Sequence, residues 1–197
     1  MASIVFAGIG GQGVITVATI VGKAAVADGK NALMTELHGM AQRGGRISVE
    51  LRIGNYESAI IPEGKADAIV GFEEMEAARN VPKLKENGII LVNRRRIHPV
   101  TLSRTVQEYP QLKVEEILGK YRTYYIEADA KALELGNKKV VNTIMLGALY
   151  STGLLNLNEQ TLLRVLEESF DERYRMINSN AFSAGKMLVG QEITSTV

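Results

Sequence analysis

Ile4-Val5-Phe6-Ala7-Gly8-Ile9-Gly10-Gly11-Gln12-Gly13 runs from a short apolar segment into a glycine-rich turn, and a helical pattern follows at once. Consecutive apolar residues suit a strand buried on both faces. Glycines 8, 10 and 13 have the spacing G-x-G-x-x-G. Between a strand and a helix, that spacing lets the backbone approach a phosphate, and the free N–H groups of the helix start favour an anion. The same glycines would also serve a tight turn with no ligand, so the spacing alone leaves both readings open. The helix predicted from about Gln12 to Ala27 carries apolar residues from Val14 to Val26 around most of its circumference. Such a helix needs a second cover besides the sheet, from this chain or from a partner.

Outward from this unit, Asp28-Gly29-Lys30-Asn31 reads as a turn and Ala32–Thr35 as a short strand ending at Glu36. Glu36 stands 23 residues after Gly13, close to where a ribose-binding acid would fall. Residues 37–45 are a polar, glycine-rich excursion rather than a second crossover. Arg46–Ile53 alternates strictly, which predicts a strand with one wet face, and Gly54-Asn55 predicts a hairpin back into Tyr56–Ile61. Ala66–Phe72 and Gly88–Asn93 read as buried strands, and Arg122–Ile126 as a further one. Helices are expected over Glu73–Leu84 with a break at Pro82, Asp129–Leu135, Val140–Ser151, Glu159–Ser169 behind an Asn158 cap, and Asn178–Val189. The pattern predicts an α/β fold: a three-layer, Rossmann-like, mostly parallel sheet with an inserted antiparallel hairpin and a helical C-terminal part. Without repeats or a linker, residues 1–197 are expected to form one domain.

Composition narrows function. A net charge of +1 gives no global electrostatic case for nucleic acid or an acidic membrane surface. With no cysteine, the chain holds no disulfide, thiolate-ligated cluster or thiol nucleophile. There is no transmembrane run of about 20 apolar residues, and the N-terminus lacks the basic region of a signal peptide. A cytoplasmic location is expected.

Several segments, in order, resemble the γ-type subunit of 2-oxoacid:ferredoxin oxidoreductases. They are Gly8–Gly13, then Glu36-Leu37-His38-Gly39-Met40-Ala41-Gln42-Arg43-Gly44-Gly45, Ile61–Asp67, Gly71-Phe72-Glu73 and Asn142–Ala148. The likeness extends over about residues 3–190. The Glu36–Gly45 run and Ile97-His98-Pro99-Val100 are similar to the small (β) subunit of the indolepyruvate branch, whereas Arg94-Arg95-Arg96 departs from it. The resemblance implies a role in oxidative decarboxylation of a 2-oxoacid to an acyl-CoA, with electrons passed to ferredoxin. Thiamine diphosphate, magnesium and [4Fe-4S] clusters would belong to a large partner subunit. The Gly-Asp-Gly…Asn-Asn signature of magnesium–thiamine diphosphate is absent here. This chain would cap the active site, help bind coenzyme A at the subunit interface, and be inactive alone.

The resulting candidate cofactor-binding residues are Gly8, Gly10, Gly11, Gln12, Gly13, Gln42, Arg43, Gly44 and Gly45. The first group would turn its N–H groups towards phosphates, and Arg43 could pair with a carboxylate or phosphate bidentately. Each loop could instead be a turn or a contact between subunits. No catalytic residue or metal ligand stands out. His38 could orient its loop, Arg94–Arg96 could meet a phosphate or a partner, and Asn142 could reach a ligand or cap a helix. The competing reading is a free-standing NAD- or FAD-binding protein, against which stands the short length available for a substrate domain.

Overall fold

The computed structural model describes residues 1–39, 45–97 and 109–194, with side chains to Val189. Six strands form one sheet: β1 (Ala2–Ile9), β2 (Ala32–His38), β3 (Arg46–Ile53), β4 (Ala66–Gly71), β5 (Leu84–Asn93) and β6 (Arg122–Ile126), in the order β2-β3-β1-β4-β5-β6. The pairs β1–β4, β4–β5 and β5–β6 are parallel; β3 is antiparallel to both β1 and β2. The helices are α1 (Val14–Ala27), α2 (Glu74–Asn80), α3 (Gln111–Leu118), α4 (Ala128–Glu134), α5 (Val141–Ser151), α6 (Glu159–Glu168) and α7 (Glu172–Thr194).

The apolar runs divide by alternate residue. Ile4 and Phe6 of β1, Ala68 and Val70 of β4, and Ile89 and Leu91 of β5 enter one core with α1, α4, α5, α6 and α7. Val5, Ile69, Ile90 and Val92 enter a second core with α2 and α3. A period of two with both faces apolar is what a sheet between two helical layers requires. The second cover that α1 needs comes from α5 and α6 of this chain.

The antiparallel hairpin is β2–β3, not Arg46–Ile53 with Tyr56–Ile61, and residues 56–61 form no strand. The polar face of β3 explains the difference. Glu50 is buried and accepts from the Ile61 N–H at 2.5 Å and from Lys83 Nζ at 2.5 Å. Arg52 lies over the Tyr56 ring at 3.6 Å and donates to the Ser58 and Ile60 carbonyls. The segment after Gly54 is thus fastened across the face of β3 by side chains rather than paired along its edge. Two helices differ in extent from expectation: α7 begins at Glu172, and α3 was not foreseen.

Close approach fixes the α5–α7 pair. A Cβ at Gly147 would strike the Phe182 carbonyl, and one at Gly185 would strike the Ile144 carbonyl. Beside this crossing, the buried Thr143 hydroxyl donates to Asn178 Oδ1 at 2.6 Å, and Asn178 Nδ2 donates to the Tyr174 carbonyl at 2.9 Å.

Candidate functional site

The Gly8–Gly13 segment leaves β1 and turns directly into α1. Gly13 is the N-cap of α1 with φ 78°, and Gly11 has φ 96°, both left-handed conformations that favour glycine. Gln12 locks the turn: its Oε1 accepts from the Ile9 N–H at 2.7 Å and its Nε2 donates to the Phe72 carbonyl at 3.1 Å. Gln12 therefore joins the ends of β1 and β4. Gly8 leaves room for it, since a Cβ there would stand 2.6 Å from Gln12 Oε1. The Gly10 N–H donates to the Gly45 carbonyl at 3.0 Å, so the two glycine segments touch. Gln42, Arg43 and Gly44 lie outside the described residues, as do Met40, Ala41 and His98-Pro99-Val100.

α1 packs on one face of the sheet and α2 on the other, although they follow the neighbouring parallel strands β1 and β4. The chain reverses its winding there, and the crevice beyond the carboxyl ends of such strands is where ligands of open α/β sheets bind. A cleft of about 360 Å³ occupies this position, lined by Gly11, Gln12, Gly13, Phe72, Arg95, Lys138, Lys139, Val141 and Asn142. The first turns of α1 and α5 contain no acid, and neither helix has a side-chain cap at its N-terminus. Asn142 is 8% exposed; its Oδ1 accepts from the Thr143 N–H at 2.9 Å. Its Nδ2 lies against Gly13, at 2.5 Å from where a Cβ would be. Three cations, two uncapped helix starts and an amide donor make the cleft suited to an anion.

The three arginines after β5 all have partners within the chain. Arg94 lies over the Tyr125 ring at 4.8 Å and approaches Glu127 at 3.4 Å. Arg95 Nη1 donates to Asp129 Oδ1 at 2.9 Å, while Asn93 Nδ2 donates to Asp129 Oδ2 at 2.7 Å. Arg96 joins Glu74 at 2.9 Å and Glu115 at 2.8 Å. Of the three, Arg95 lines the cleft.

Behind them, Glu73 caps α2 through the Glu76 N–H and accepts from the Ile97 N–H at 3.2 Å and the Tyr109 hydroxyl at 2.7 Å. Burial, reinforced by the hydrogen bond to Glu73, pushes the Tyr109 phenol far above its ordinary range. Glu74 is fully buried, and its Oε1 has no hydrogen-bond partner among the described residues. Burial also raises the Glu76 carboxyl above the usual carboxylate range despite its ion pair with Arg79.

The strand order removes the dinucleotide reading of Glu36. In a dinucleotide unit the acidic strand adjoins β1, but here β3 lies between them. Glu36 is therefore two strand spacings, roughly 10 Å, from β1 rather than one. It pairs instead with His38 Nε2 at 2.9 Å on the exposed edge strand. His38 lines a separate cleft of about 220 Å³ with Arg46, Glu76 and Arg79. Among the described residues, no group of His, Asp and Glu could hold a metal ion, and no helix is long and apolar enough to cross a membrane.

Fold and cleft together define an α/β protein with a crevice at its switch point that is lined by Arg95, Lys138 and Lys139. Residues 3–187 match the sequence-family model for pyruvate ferredoxin/flavodoxin oxidoreductase, and the chain belongs to that family. The indolepyruvate oxidoreductase subunit IorB of Methanothermobacter thermautotrophicus is 38% identical over 183 residues, covering 90% of this chain and 92% of the relative. The pyruvate synthase subunit PorC of the same organism is 28% identical over 194 residues, with 92% of each chain covered. The fold matches 2-oxoglutarate:ferredoxin oxidoreductase from Magnetococcus marinus, described with 2-oxoglutarate, coenzyme A and succinyl-CoA bound, at TM-score 0.74 and 22% identity. That match covers 96% of this chain and 31% of the longer one.

Of the residues singled out in the sequence, the structure brings Gly11, Gln12, Gly13, Phe72, Arg95 and Asn142 to one cleft. Lys138 and Lys139 were not singled out. They belong to a 3-10 turn more than a hundred residues downstream, and no spacing connects them to the glycines.

Proposed function

We propose that this chain is the non-redox subunit of a 2-oxoacid:ferredoxin oxidoreductase acting on an arylpyruvate such as indolepyruvate. It caps the active site of a large subunit and contributes to the coenzyme A site. The carrying observation is the basic cleft at the switch point, in a chain 38% identical to an indolepyruvate oxidoreductase subunit over 90% of its length. The lower identity to the pyruvate synthase subunit of the same organism favours the aryl substrate. We further read residues 1–197 as one domain and the complex as cytoplasmic.

The chemistry divides between subunits. This sequence has no cysteine for a cluster and no thiamine diphosphate signature, so the large subunit supplies thiamine diphosphate, magnesium and [4Fe-4S] clusters, and passes electrons to ferredoxin. The residues here do fit coenzyme A: glycines leave the backbone bare at the cleft, and Asn142 presents an amide donor to it. Gly8, Gly10, Gly11, Gln12 and Gly13 form this edge, with Gln12 positioning the turn through its two internal hydrogen bonds. Gly45 ties in the second segment, whose Gln42, Arg43 and Gly44 would face the partner or the ligand. The chain's task is to bind and orient the thiol carrier, not to move electrons.

Co-expression with the large subunit tests this. The two should copurify and show coenzyme A-dependent reduction of a viologen dye with indolepyruvate, while the isolated chain shows none. If the large subunit alone works at the full rate of the mixture, the chain is not part of the enzyme.

A further inference from the structure

β2 closes one edge of the sheet, and among the described residues nothing pairs with its outer side. The Asn31 carbonyl accepts from the Gly54 N–H at 2.8 Å, and the Gly39 N–H donates to the Arg46 carbonyl at 2.9 Å. These two bonds fix which backbone groups turn inward. Odd-numbered residues from Asn31 to Gly39 bond β3, so the N–H and C=O groups of Ala32, Met34, Glu36 and His38 face outward. Exposed edges are usually blunted by proline, lysine, a bulge or short length. β2 is seven residues long, carries no proline or lysine, and keeps an unbroken register with β3 throughout. Its one acid, Glu36, is held by His38. Met34 and Leu37 are exposed on it, and so is Val26 beside Met34 on α1.

This edge is complementary to itself. A second copy of β2, antiparallel and centred on Thr35, puts Ala32 opposite His38 and Met34 opposite Glu36. Both pairings join outward-facing groups of the two strands, with two hydrogen bonds per pair and about eight in all. Leu33 then meets Leu37, and Thr35 meets Thr35, in the closer pairs between. Aliphatic and Thr–Thr pairs are favourable across strands, and no like charges stand opposite. The neighbouring registers are worse. One sets Glu36 against Glu36, and the other sets Met34 against Met34 and overlaps only Ala32–Glu36. Even-numbered side chains of β2 share the face of α1, where Lys23, Val26, Met34 and Leu51 line a groove of about 330 Å³. The second copy's Glu36 arrives on this face beside Met34, with Lys23 as a countercharge.

We propose that two copies of this chain pair through β2, edge to edge, into one continuous sheet. The two-fold axis passes beside Thr35. The contact shares no residue with the cleft at the switch point, and the pairing does not rest on the enzymatic role.

Sedimentation equilibrium of the full chain should show a dimer in the micromolar range. The chain has no cysteine, so T35C introduces a single thiol beside the axis. The closer antiparallel pairs hold their Cα atoms about 4.5 Å apart, within disulfide reach. Under mild oxidation T35C should form a covalent dimer many times faster than S183C, whose thiol lies on the exposed side of α7. Met34 and Glu36 are both exposed, so their substitution leaves the core intact. M34E puts a carboxylate opposite Glu36 twice per dimer and should raise the dissociation constant about tenfold. M34E/E36K makes both contacts attractive and should bring the constant back to within about threefold of the parent. A monomeric parent chain, or T35C cross-linking no faster than S183C, overturns the pairing. So does a dimer that M34E leaves unweakened or that M34E/E36K fails to restore. A chain that is monomeric alone, with T35C shielded from a maleimide only in the copurified complex, also overturns it and assigns the edge to the large subunit.

Discussion

A methyl group at Gly13 has nowhere to go. The φ of 78° disfavours any L side chain by about 1–2 kcal/mol, and the added Cβ would stand 2.5 Å from Asn142 Nδ2. Gly11 has an equally left-handed φ but no atom within 4 Å of the added carbon. G13A should thus cost about 2–5 kcal/mol, summing strain and overpacking, and G11A only the strain. Urea denaturation of the two variants checks this; equal losses would mean that the Asn142 contact yields freely. The comparison also shows what residue spacing conveys. Gly8, Gly10 and Gly13 are equivalent in the sequence pattern, yet Gly8 makes room for Gln12, Gly10 bonds Gly45, and Gly13 makes room for Asn142. The pattern conveys the turn but not the neighbour, because the neighbours come from distant parts of the chain.

Elements were legible where their burial was uniform and obscure where a side chain took over the work of backbone pairing. The strands β1, β4 and β5 are buried on both faces and announce themselves as apolar runs. The polar alternation of β3 correctly signals a strand, but its Glu50 and Arg52 hold a crossing segment that mimics a hairpin partner. The helix α3 escapes because it is short and buries only Val114 and Leu118. The early turns of α7 escape because they are mostly polar. The α5–α7 crossing carries the sharpest prediction at this scale. On propensity alone, Gly→Ala inside a helix stabilises by roughly 0.5–1 kcal/mol. At Gly147 and Gly185 the methyl would instead meet a backbone carbonyl that cannot rotate away. G147A and G185A should each lower stability by at least about 1–3 kcal/mol, the usual cost of overpacking. Thermal unfolding with S183A, an exposed α7 site, as control decides the sign; a gain in Tm would show that the helices part without penalty.

At the scale of the whole molecule, the site was half legible. Its glycine half is local to one strand–helix unit, whereas its basic half is assembled by the sheet, which brings the end of β5 and the start of α5 to the end of β1. The same long-range closure makes stability depend on pH in two opposing ways. Asp28, at the end of α1, accepts from the Asn158 N–H at 2.6 Å, joining residues 130 positions apart, and this bond lowers its carboxyl below the ordinary 3.8. A depressed folded-state pKa adds stability that is complete above the unfolded value and is lost as pH falls through the folded one. Glu76 is the reverse. Its burial raises the carboxyl above 4.5, so it favours the fold below that value and works against it as pH rises through the folded-state pKa. D28N should therefore lower Tm at pH 7, with the deficit closing as the pH falls through and below 3.8. E76Q should raise Tm at pH 7 relative to the parent, with the gain vanishing below 4.5. Calorimetric scans from pH 2.5 to 7.5 measure both differences. A stabilising D28N at neutral pH would deny the α1–α6 closure. An E76Q deficit there would mean that the Arg79 pair outweighs the desolvation of Glu76, and that the acidic start of α2 stabilises the fold as an ion pair.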